Sequence, residues 1–371
     1  MTQRTTPPFR ADHVGSLLRP AALKQARERF AKGEIAAAAL KAVEDREIER
    51  IVRKQEEVGL QSITDGEFRR SWWHLDFLWG LGCERYVMEE GVAFAGTATR
   101  PEGARVIDRL RVTAEHPMVS HYKFLARHVT PGHTAKMTIP APSALYGRTG
   151  RKSVSEKAYP DLETFFRELG GAYRQVVRQF ADAGCRYLQL DEVTIAMLCD
   201  GPYRKRMTDR GDDPDRLALA YADMINAAMS DIPSDMVITM HLCRGNYKST
   251  YMGAGGYDSV EDVLFNRTNV HGYFMEYDDE RSGNFAPLRK LPKGKIVVLG
   301  VVTTKRGELE SKDTIKRRID EAAKFAPLDQ LALSGQCGFA STEEGNILTE
   351  EQQWAKLRRI VEVADEVWGD K

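Results

Sequence analysis

The stretch LETFFRELGGAYRQVVRQFADAGCRYLQLDE, residues 162–192, decides the fold class of this chain. Its first part, 162–183, places apolar residues at helical spacing among charged ones and predicts an amphipathic helix. The apolar run 187–190 predicts a short buried strand, and two carboxylates, Asp191 and Glu192, follow it directly. A helix that leads into a buried strand is the unit of a parallel α/β fold, so the same unit should recur along the chain.

Short apolar or β-branched runs do recur along the 371 residues, with helical segments between most of them. Eight are predicted as strands, at 9–14, 60–64, 134–139, 187–190, 236–240, 272–275, 296–302 and 330–333. Further amphipathic helices are predicted at 40–58, 217–229, 312–325 and 350–368. Eight strands alternating with helices predict an α/β fold, a (β/α)8 TIM barrel. The alternative is an open doubly wound sheet, but no G-x-G-x-x-G follows an early strand to support it.

The segments outside this rhythm predict the domain organisation. Residues 80–131 are too long for an ordinary loop and contain short alternating pieces, so they predict an insert after the second strand. No internal repeat, low-complexity tract or linker divides the chain. We therefore expect a single barrel domain over residues 1–371, with an N-terminal helical extension and this insert.

Composition and charge exclude several classes of protein. Lys plus Arg and Asp plus Glu both total 54, and this zero net charge argues against a nucleic-acid partner. No apolar run approaches the roughly 18 residues of a membrane span, and the polar N-terminus carries no signal-peptide core. The five scattered cysteines do not resemble a disulfide framework. The sequence therefore predicts a reduced, cytoplasmic protein with no membrane or nucleic-acid partner.

Residues able to bind a metal ion follow several of the predicted strands, where TIM barrels gather their chemistry. His241 and Cys243 follow the fifth strand and project to the same side of an extended backbone. Glu276 follows the sixth strand, and Cys337 follows the eighth. Imidazole, thiolate and carboxylate are the ligands that Zn²⁺ selects, so the four predict a tetrahedral zinc site. The alternative is that the Cys and His side chains are ordinary buried residues.

Two carboxylates at strand ends form the next candidate pair. Glu67 and Asp191 could hold an ammonium group or act as acid and base. The alternative is a structural ion pair with Arg69, Arg70 or Arg244. An aromatic run follows the second strand and, at helical spacing, is interpreted as core rather than as a stacking wall for a flat ligand: Phe68, Trp72, Trp73, Phe77 and Trp79.

These residues occur in motifs that resemble the catalytic barrel of cobalamin-independent methionine synthase and its single-barrel bacterial relatives. The motifs are ADHVGS at 11–16, TDGE at 64–67, LDE at 190–192, HLC at 241–243 and GQCG at 335–338. The resemblance implies a catalytic zinc ion held by His241, Cys243, Glu276 and Cys337. It also implies homocysteine contacts at Gly15, Ser16, Glu67 and Asp191, with Asp191 counted among the catalytic residues beside His241, Cys243 and Cys337.

The implied activity is methyl transfer from a donor to the thiol of homocysteine, which gives methionine. A second enzyme reading is a zinc-dependent thiol alkyltransferase of the kind that opens epoxides with coenzyme M, or one with another non-folate donor. Arg19, Arg69 and Arg244 could bind a sulfonate, so a sulfonate-bearing thiol remains an alternative substrate. A third hypothesis is that the protein is not an enzyme and that the zinc ion has a structural or sensing role.

The chain departs from the family pattern in the parts that handle the methyl donor. The full-length enzyme has a second, N-terminal barrel that helps to bind folate, and this chain has none. The folate-stacking Trp of the family would fall at 139–143, where Pro140-Ala141-Pro142 offers only a small apolar slab. Its proton-donating His would fall at 300–303, where no titratable residue occurs. We therefore expect methyltetrahydrofolate to be a poor donor.

Overall fold

A computed structural model of the protein describes residues 4–89 and 91–369 and shows a curled parallel sheet covered by helices. Its strands are β1 (Ser62–Ile63), β2 (Glu84–Val87), β3 (Ala93–Phe94), β4 (Thr97–Ala98), β5 (Glu102–Arg105), β6 (Thr134–Pro140), β7 (Tyr187–Glu192), β8 (Val237–Leu242), β9 (Gly272–Glu276), β10 (Ile296–Val302) and β11 (Leu331–Gly335). Seven of them form one parallel sheet in the order β1-β6-β7-β8-β9-β10-β11. The predicted α/β fold with a TIM-barrel-like architecture is confirmed.

The α-helices precede, separate and follow the strands along the chain. They are α1 (Ala21–Ala31), α2 (Ala37–Val58), α3 (Leu75–Gly80), α4 (Pro117–His128), α5 (Ser143–Gly147), α6 (Leu162–Asp182), α7 (Thr194–Met197), α8 (Gly201–Asp209), α9 (Pro214–Ala228), α10 (Lys312–Ala322) and α11 (Glu350–Trp368). Helix α6 begins after Asp161, whose carboxylate accepts the N–H groups of Glu163 and Thr164. Across 4–89 and 91–369, no helix combines the length and the apolar character needed to cross a membrane.

The predicted first strand, 9–14, is wrong as a regular strand. Only Ala11 makes a parallel bridge, to Leu333 of β11. The carboxylate of Asp12 accepts the N–H groups of Phe9 and His13, so these donors are not available to a neighbouring strand. The segment still lies at the open edge of the sheet: Asp12 N–H donates to Leu333, and the hydroxyl of Thr64, just after β1, donates to the carbonyl of Gly15.

The predicted insert contains two small antiparallel sheets, β2 with β5 and β3 with β4. Of its residues, Glu90 lies outside the described part of the chain. The N–H of Ala95, in the turn between β3 and β4, donates to the carbonyl of Tyr251 at 3.0 Å. This bond ties the insert to the loop that follows β8, above the carboxyl ends of the strands.

A buried polar network lies inside the sheet below the site. Asp12 accepts hydrogen bonds from Ser62 at 2.7 Å, Tyr187 at 2.8 Å and Lys136 at 3.2 Å. Lys136 and Asp12 are both fully buried, so each charge compensates the other. Because side chains alternate along a strand, Tyr187 and Asp191 of β7 share one face. Asp191 pairs in register with His241 of β8.

Candidate metal and substrate site

The four residues predicted to bind zinc come together at the carboxyl ends of three strands. One potential ligand atom from each of His241, Cys243, Glu276 and Cys337 lies within 4.8 Å of all the others. The two sulfur atoms are 3.6 Å apart. All four side chains are buried. The structure thus brings the whole predicted set into one cluster.

The backbone explains how these side chains meet. His241 lies near the end of β8, and Cys243 follows two residues later, where the N–H of Gly245 donates to its sulfur at 3.3 Å. Cys337 lies in the loop after β11, which packs on the segment containing Ser16. A Cβ on Gly338 would lie 1.9 Å from the Ser16 hydroxyl, so glycine is required for this approach.

The carboxylate of Glu276 is held in a fixed orientation. Its Oε1 accepts the N–H of Arg244 at 3.0 Å, and its Oε2 accepts the guanidinium of Arg281 at 2.9 Å. Burial alone would raise the pKa of Glu276, but Arg281, Lys305 and Arg244 lower that pKa below its ordinary value. A buried, ionised and hydrogen-bonded carboxylate is what a cation site requires.

The donor set fits a zinc ion. Both ring nitrogens of His241 are buried and have no hydrogen-bond partner among residues 4–89 and 91–369, which is costly for an imidazole without a ligand. Contact with the Cys243 thiol and with His241 holds the pKa of Cys337 well below its ordinary range. The same sulfur contact and burial raise the pKa of Cys243. The pair therefore favours one thiolate, and a cation taking both sulfurs would displace the remaining proton.

The predicted ammonium ligands lie beside this cluster. Asp191 Oδ1 accepts a hydrogen bond from Gln189 at 2.7 Å. Burial, then the charge of Glu67, raises the pKa of Asp191 to about 7. Glu67 has a left-handed backbone with φ of 62°, and its Oε1 accepts the Thr138 hydroxyl at 2.8 Å. Its Oε2 is buried without a partner in the described part of the chain.

The alternative of a structural ion pair applies to one of these carboxylates. Glu67 lies 3.5 Å from the guanidinium of Arg70. Arg69 pairs instead with Glu44 and Asp45, and Arg244 donates to Tyr257 and to the carbonyl of Gly255. Within residues 4–89 and 91–369, no cationic side chain lies within salt-bridge distance of Asp191. Its carboxyl group is thus free to bind a ligand.

One cavity of about 540 Å³ joins most of the predicted site. Ser16, Glu67, Asp191, His241, Cys243 and Cys337 line it. Glu276 is fully buried and does not line the cavity. Gly15 lies beside the cavity with φ of 134°, and a Cβ at this position would lie 2.6 Å from Thr138. At the end of β10, where the proton-donating His of the family would fall, the hydroxyl of Thr303 donates to Asp278 at 2.9 Å.

Aromatic side chains form one wall of the cavity. Trp72 and Trp73 line it together with Phe94 of the insert and Tyr247 of the loop after β8. Trp72 also belongs to the hydrophobic core, as predicted. Phe68 and Phe77 of the same aromatic run are core residues. The expected slab at 140–142 does not line the cavity. The sequence shows Trp72 and Trp73 as part of an aromatic run, but no local feature indicates that these two line a cavity and the other members do not.

Comparison with known proteins gives consistent results. Residues 9–366 match the family described as the catalytic domain of cobalamin-independent synthase. The Bacillus subtilis protein YxjH, itself uncharacterized, is 49% identical over 364 residues, which cover 97% of this chain and 95% of YxjH. The 5-methyltetrahydropteroyltriglutamate–homocysteine methyltransferase of Bacillus velezensis is 23% identical over 95% of this chain, which spans 42% of that longer enzyme. A solved structure from Listeria monocytogenes, described as a candidate vitamin-B12 independent methionine synthase, has a TM-score of 0.78 at 40% identity and covers 98% of this chain and 99% of that one.

Proposed function

Because the chain belongs to the cobalamin-independent methionine synthase family, we propose that it is a zinc-dependent enzyme that transfers a methyl group to the thiol of homocysteine, giving methionine. One observation carries this proposal. A buried cluster of one imidazole, two thiols and one carboxylate opens into the same cavity as two carboxylates suited to an ammonium group. The first set fits a thiol-binding metal, and the second fits the amino group of an amino acid.

Each residue has a distinct role in this proposal. His241, Cys243, Glu276 and Cys337 would hold the zinc ion, which when bound supplies a Lewis acid that lowers the pKa of a substrate thiol. Asp191 and Glu67 accept the ammonium group of homocysteine and so fix the direction of its sulfur. Gln189 and Thr138 orient these two carboxylates. Such positioning makes a large contribution to the rate of a direct displacement.

The second hypothesis, a coenzyme M transferase, requires cations near the thiol. Arg19, Arg69 and Arg244, which supported this hypothesis, make other contacts. Arg19 donates to the carbonyls of Glu67, Arg70 and Ala340, and neither Arg69 nor Arg244 lines the cavity. A sulfonate placed beside Asp191 and Glu67 would meet like charge, which is unfavourable. Arg148 and Arg206 also line the cavity, so the preference for homocysteine rests on the two carboxylates beside the metal cluster.

Isothermal titration of the zinc-loaded protein with homocysteine and with coenzyme M tests the proposal. We expect homocysteine to bind at least about 10-fold more tightly, because only it offers an ammonium group to a buried carboxylate. Tighter binding of coenzyme M would replace the proposal by the second reading. If neither thiol binds, the proposal of a thiol alkyltransferase is wrong.

A further inference from the structure

The two cysteines of the metal cluster come from strands that are not neighbours. Cys243 follows β8 and Cys337 follows β11, and β9 and β10 separate these two strands in the sheet. The ladders of the described sheet therefore do not set the distance between the two thiols. Their sulfur atoms are nevertheless 3.6 Å apart, close to the separation of about 3.8 Å between two thiolates on one tetrahedral zinc ion. Contacts outside the sheet must hold the two loops in this position.

Lys305, in the loop after β10, makes the first of these contacts. Its side chain is buried, and Nζ donates to the carbonyls of Gly245 at 3.2 Å and Thr250 at 3.0 Å and to Oδ1 of Asn246 at 3.2 Å. All three acceptors belong to the loop that begins at Cys243. In the described part of the chain, no carboxylate lies within salt-bridge distance of this ammonium group. Lys305 thus tethers the loop after β8 instead of forming an ion pair.

Asn246 extends this tether to the loop of the second cysteine. An ammonium group can only donate, so Asn246 turns its amide oxygen toward Lys305. Its amide nitrogen then faces the loop after β11, where it donates to the carbonyl of Gly338 at 2.7 Å and to the hydroxyl of Ser341 at 3.2 Å. Gly338 directly follows Cys337. Lys305 and Asn246, which we call the brace, therefore connect the loops that carry the two cysteines.

The turn inside the loop after β8 also depends on the brace. Lys248 and Ser249 have left-handed backbones, with φ of 46° and 66°. Such a backbone is unfavourable for residues other than glycine and persists only where surrounding contacts hold it. Lys305 holds the carbonyl of Thr250 at the end of this turn, and the hydroxyl of Ser249 donates to Asn346. The conformation of the loop is thus determined by distant residues rather than by its own sequence.

We propose that Lys305 and Asn246 are positioning residues that hold the loops of Cys243 and Cys337 at the separation that one metal ion requires. The inference rests on the zinc site of the proposed function. Neither residue belongs to the cluster of four ligands, so each acts through the backbone that carries a thiol. With the spacing already formed, both sulfurs can bind an ion without a costly rearrangement of the two loops.

Zinc affinities measured by competition with a chromophoric chelator test the brace. Lys305→Met and Asn246→Leu should each weaken zinc binding about 10- to 100-fold, as is typical when support for a ligand is removed. The double variant should bind about as weakly as the weaker single variant, because both residues act in one connection. Lys295→Met is the matched control and should keep the wild-type affinity. This partly buried lysine donates to the oxygens of Thr268 and Tyr273 before β10, at the other end of the strand.

The sign of the effect separates positioning from charge. Removal of a nearby cation on electrostatic grounds alone would strengthen the binding of a metal cation, so Lys305→Met would then bind zinc more tightly. Tighter or unchanged binding in this variant overturns the proposal. A normal affinity of Asn246→Leu also overturns it, and this variant, which keeps the charge of Lys305, decides the question if Lys305→Met does not fold.

Cobalt(II) binding gives a second measurement that a general loss of stability would not change. Charge-transfer absorption from sulfur to cobalt reports how many thiolates are bound. At saturating cobalt, the two brace variants should show weaker absorption than the wild type and Lys295→Met, because one sulfur is no longer held within reach. Identical spectra in all four proteins would contradict the brace. If the wild-type protein bound neither zinc nor cobalt, the metal site of the proposed function would itself be refuted.

Discussion

Asp191→Asn tests the assignment of the ammonium site most directly. The substitution removes the charge and keeps the shape of the side chain. The Gln189 amide, which donates to Asp191 Oδ1 at 2.7 Å, can donate in the same way to the amide oxygen of Asn. The position of the side chain should therefore persist, and a change in binding reports the loss of the negative charge.

The expected magnitude follows from the contacts of Asp191. No cationic side chain in residues 4–89 and 91–369 pairs with it, so above its pKa of about 7 its negative charge is available to a ligand in a buried site. A hydrogen bond to a charged group contributes about 1.5–3 kcal/mol. Asp191→Asn should then weaken homocysteine binding about 10- to 100-fold. It should hardly change the affinity for 4-mercaptobutanoate, which has the same chain and carboxylate but no amine.

The assay is calorimetric titration of both thiols into zinc-loaded wild-type protein and variant. Glu192→Gln is the matched control, because this neighbouring carboxylate accepts hydrogen bonds from Ser143 and Ile195 and does not line the cavity. Its homocysteine affinity should equal that of the wild type. Equal losses for the two thiols in Asp191→Asn would show that Asp191 is structural and that the assignment is wrong.

Three further predictions concern the metal, the stability and the donor. Purified protein should contain about one zinc ion per chain, and Cys243→Ala or Cys337→Ala should lose most of it by elemental analysis; full retention in both would contradict the proposed ligand set. Burial raises the pKa of Glu192 from 4.5 to about 7, so the folded protein holds this proton more tightly than the unfolded chain does. The stability gained in this way is complete below pH 4.5 and is lost as the pH rises through about 7. As the pH rises from about 5 to 8, the free energy of unfolding of Glu192→Gln should increase by about 2.5 kcal/mol relative to that of the wild type, as measured by denaturant unfolding. A difference that does not change with pH would refute this prediction. At matched zinc loading, methionine formation should be slower from methyltetrahydrofolate than from methylcobalamin, because no titratable group at 300–303 can protonate a departing amine; efficient turnover of the folate would exclude this reasoning.

The cluster of His241, Cys243, Glu276 and Cys337 could be predicted from the sequence because each residue lies at or just after the carboxyl end of a strand. Parallel strands deliver their carboxyl ends to one rim, so His241, Glu276 and Cys337 had to approach each other once the barrel was predicted. The hydrogen bonds that orient them were not predictable in this way. The Glu276 carboxylate depends on Arg281 and on the N–H of Arg244, and nothing in the local sequence indicates these pairings.

The aromatic wall of the cavity could not be predicted because long-range contacts determine it. Trp72 lies in an aromatic run with helical spacing, but helix α3 begins only at Leu75. The Asp76 carboxylate accepts the N–H groups of Ser71 and Trp72, and Trp72 bridges to Thr342, far along the chain. These contacts hold the indole at the cavity. The predicted first strand failed for a comparable reason, since the Asp12 side chain takes the backbone donors that a ladder would use.

The arrangement of nucleophiles in the cavity predicts a direct transfer between donor and thiol. Of the five cysteines, only Cys243 and Cys337 line the cavity, and both belong to the metal cluster. The hydroxyl of Ser16 also lies there, but in the described part of the chain its hydrogen bond comes from the N–H of Ala340 and not from a histidine that could activate it.

We therefore expect no covalent alkyl intermediate on a cysteine or on Ser16, and both substrates should be bound before the alkyl group moves. Initial rates measured over a matrix of homocysteine and donor concentrations should give intersecting reciprocal plots, as expected for a sequential mechanism. Parallel plots would indicate a ping-pong mechanism with a protein-bound alkyl group. The cavity would then contain a nucleophile that the geometry of these side chains does not identify.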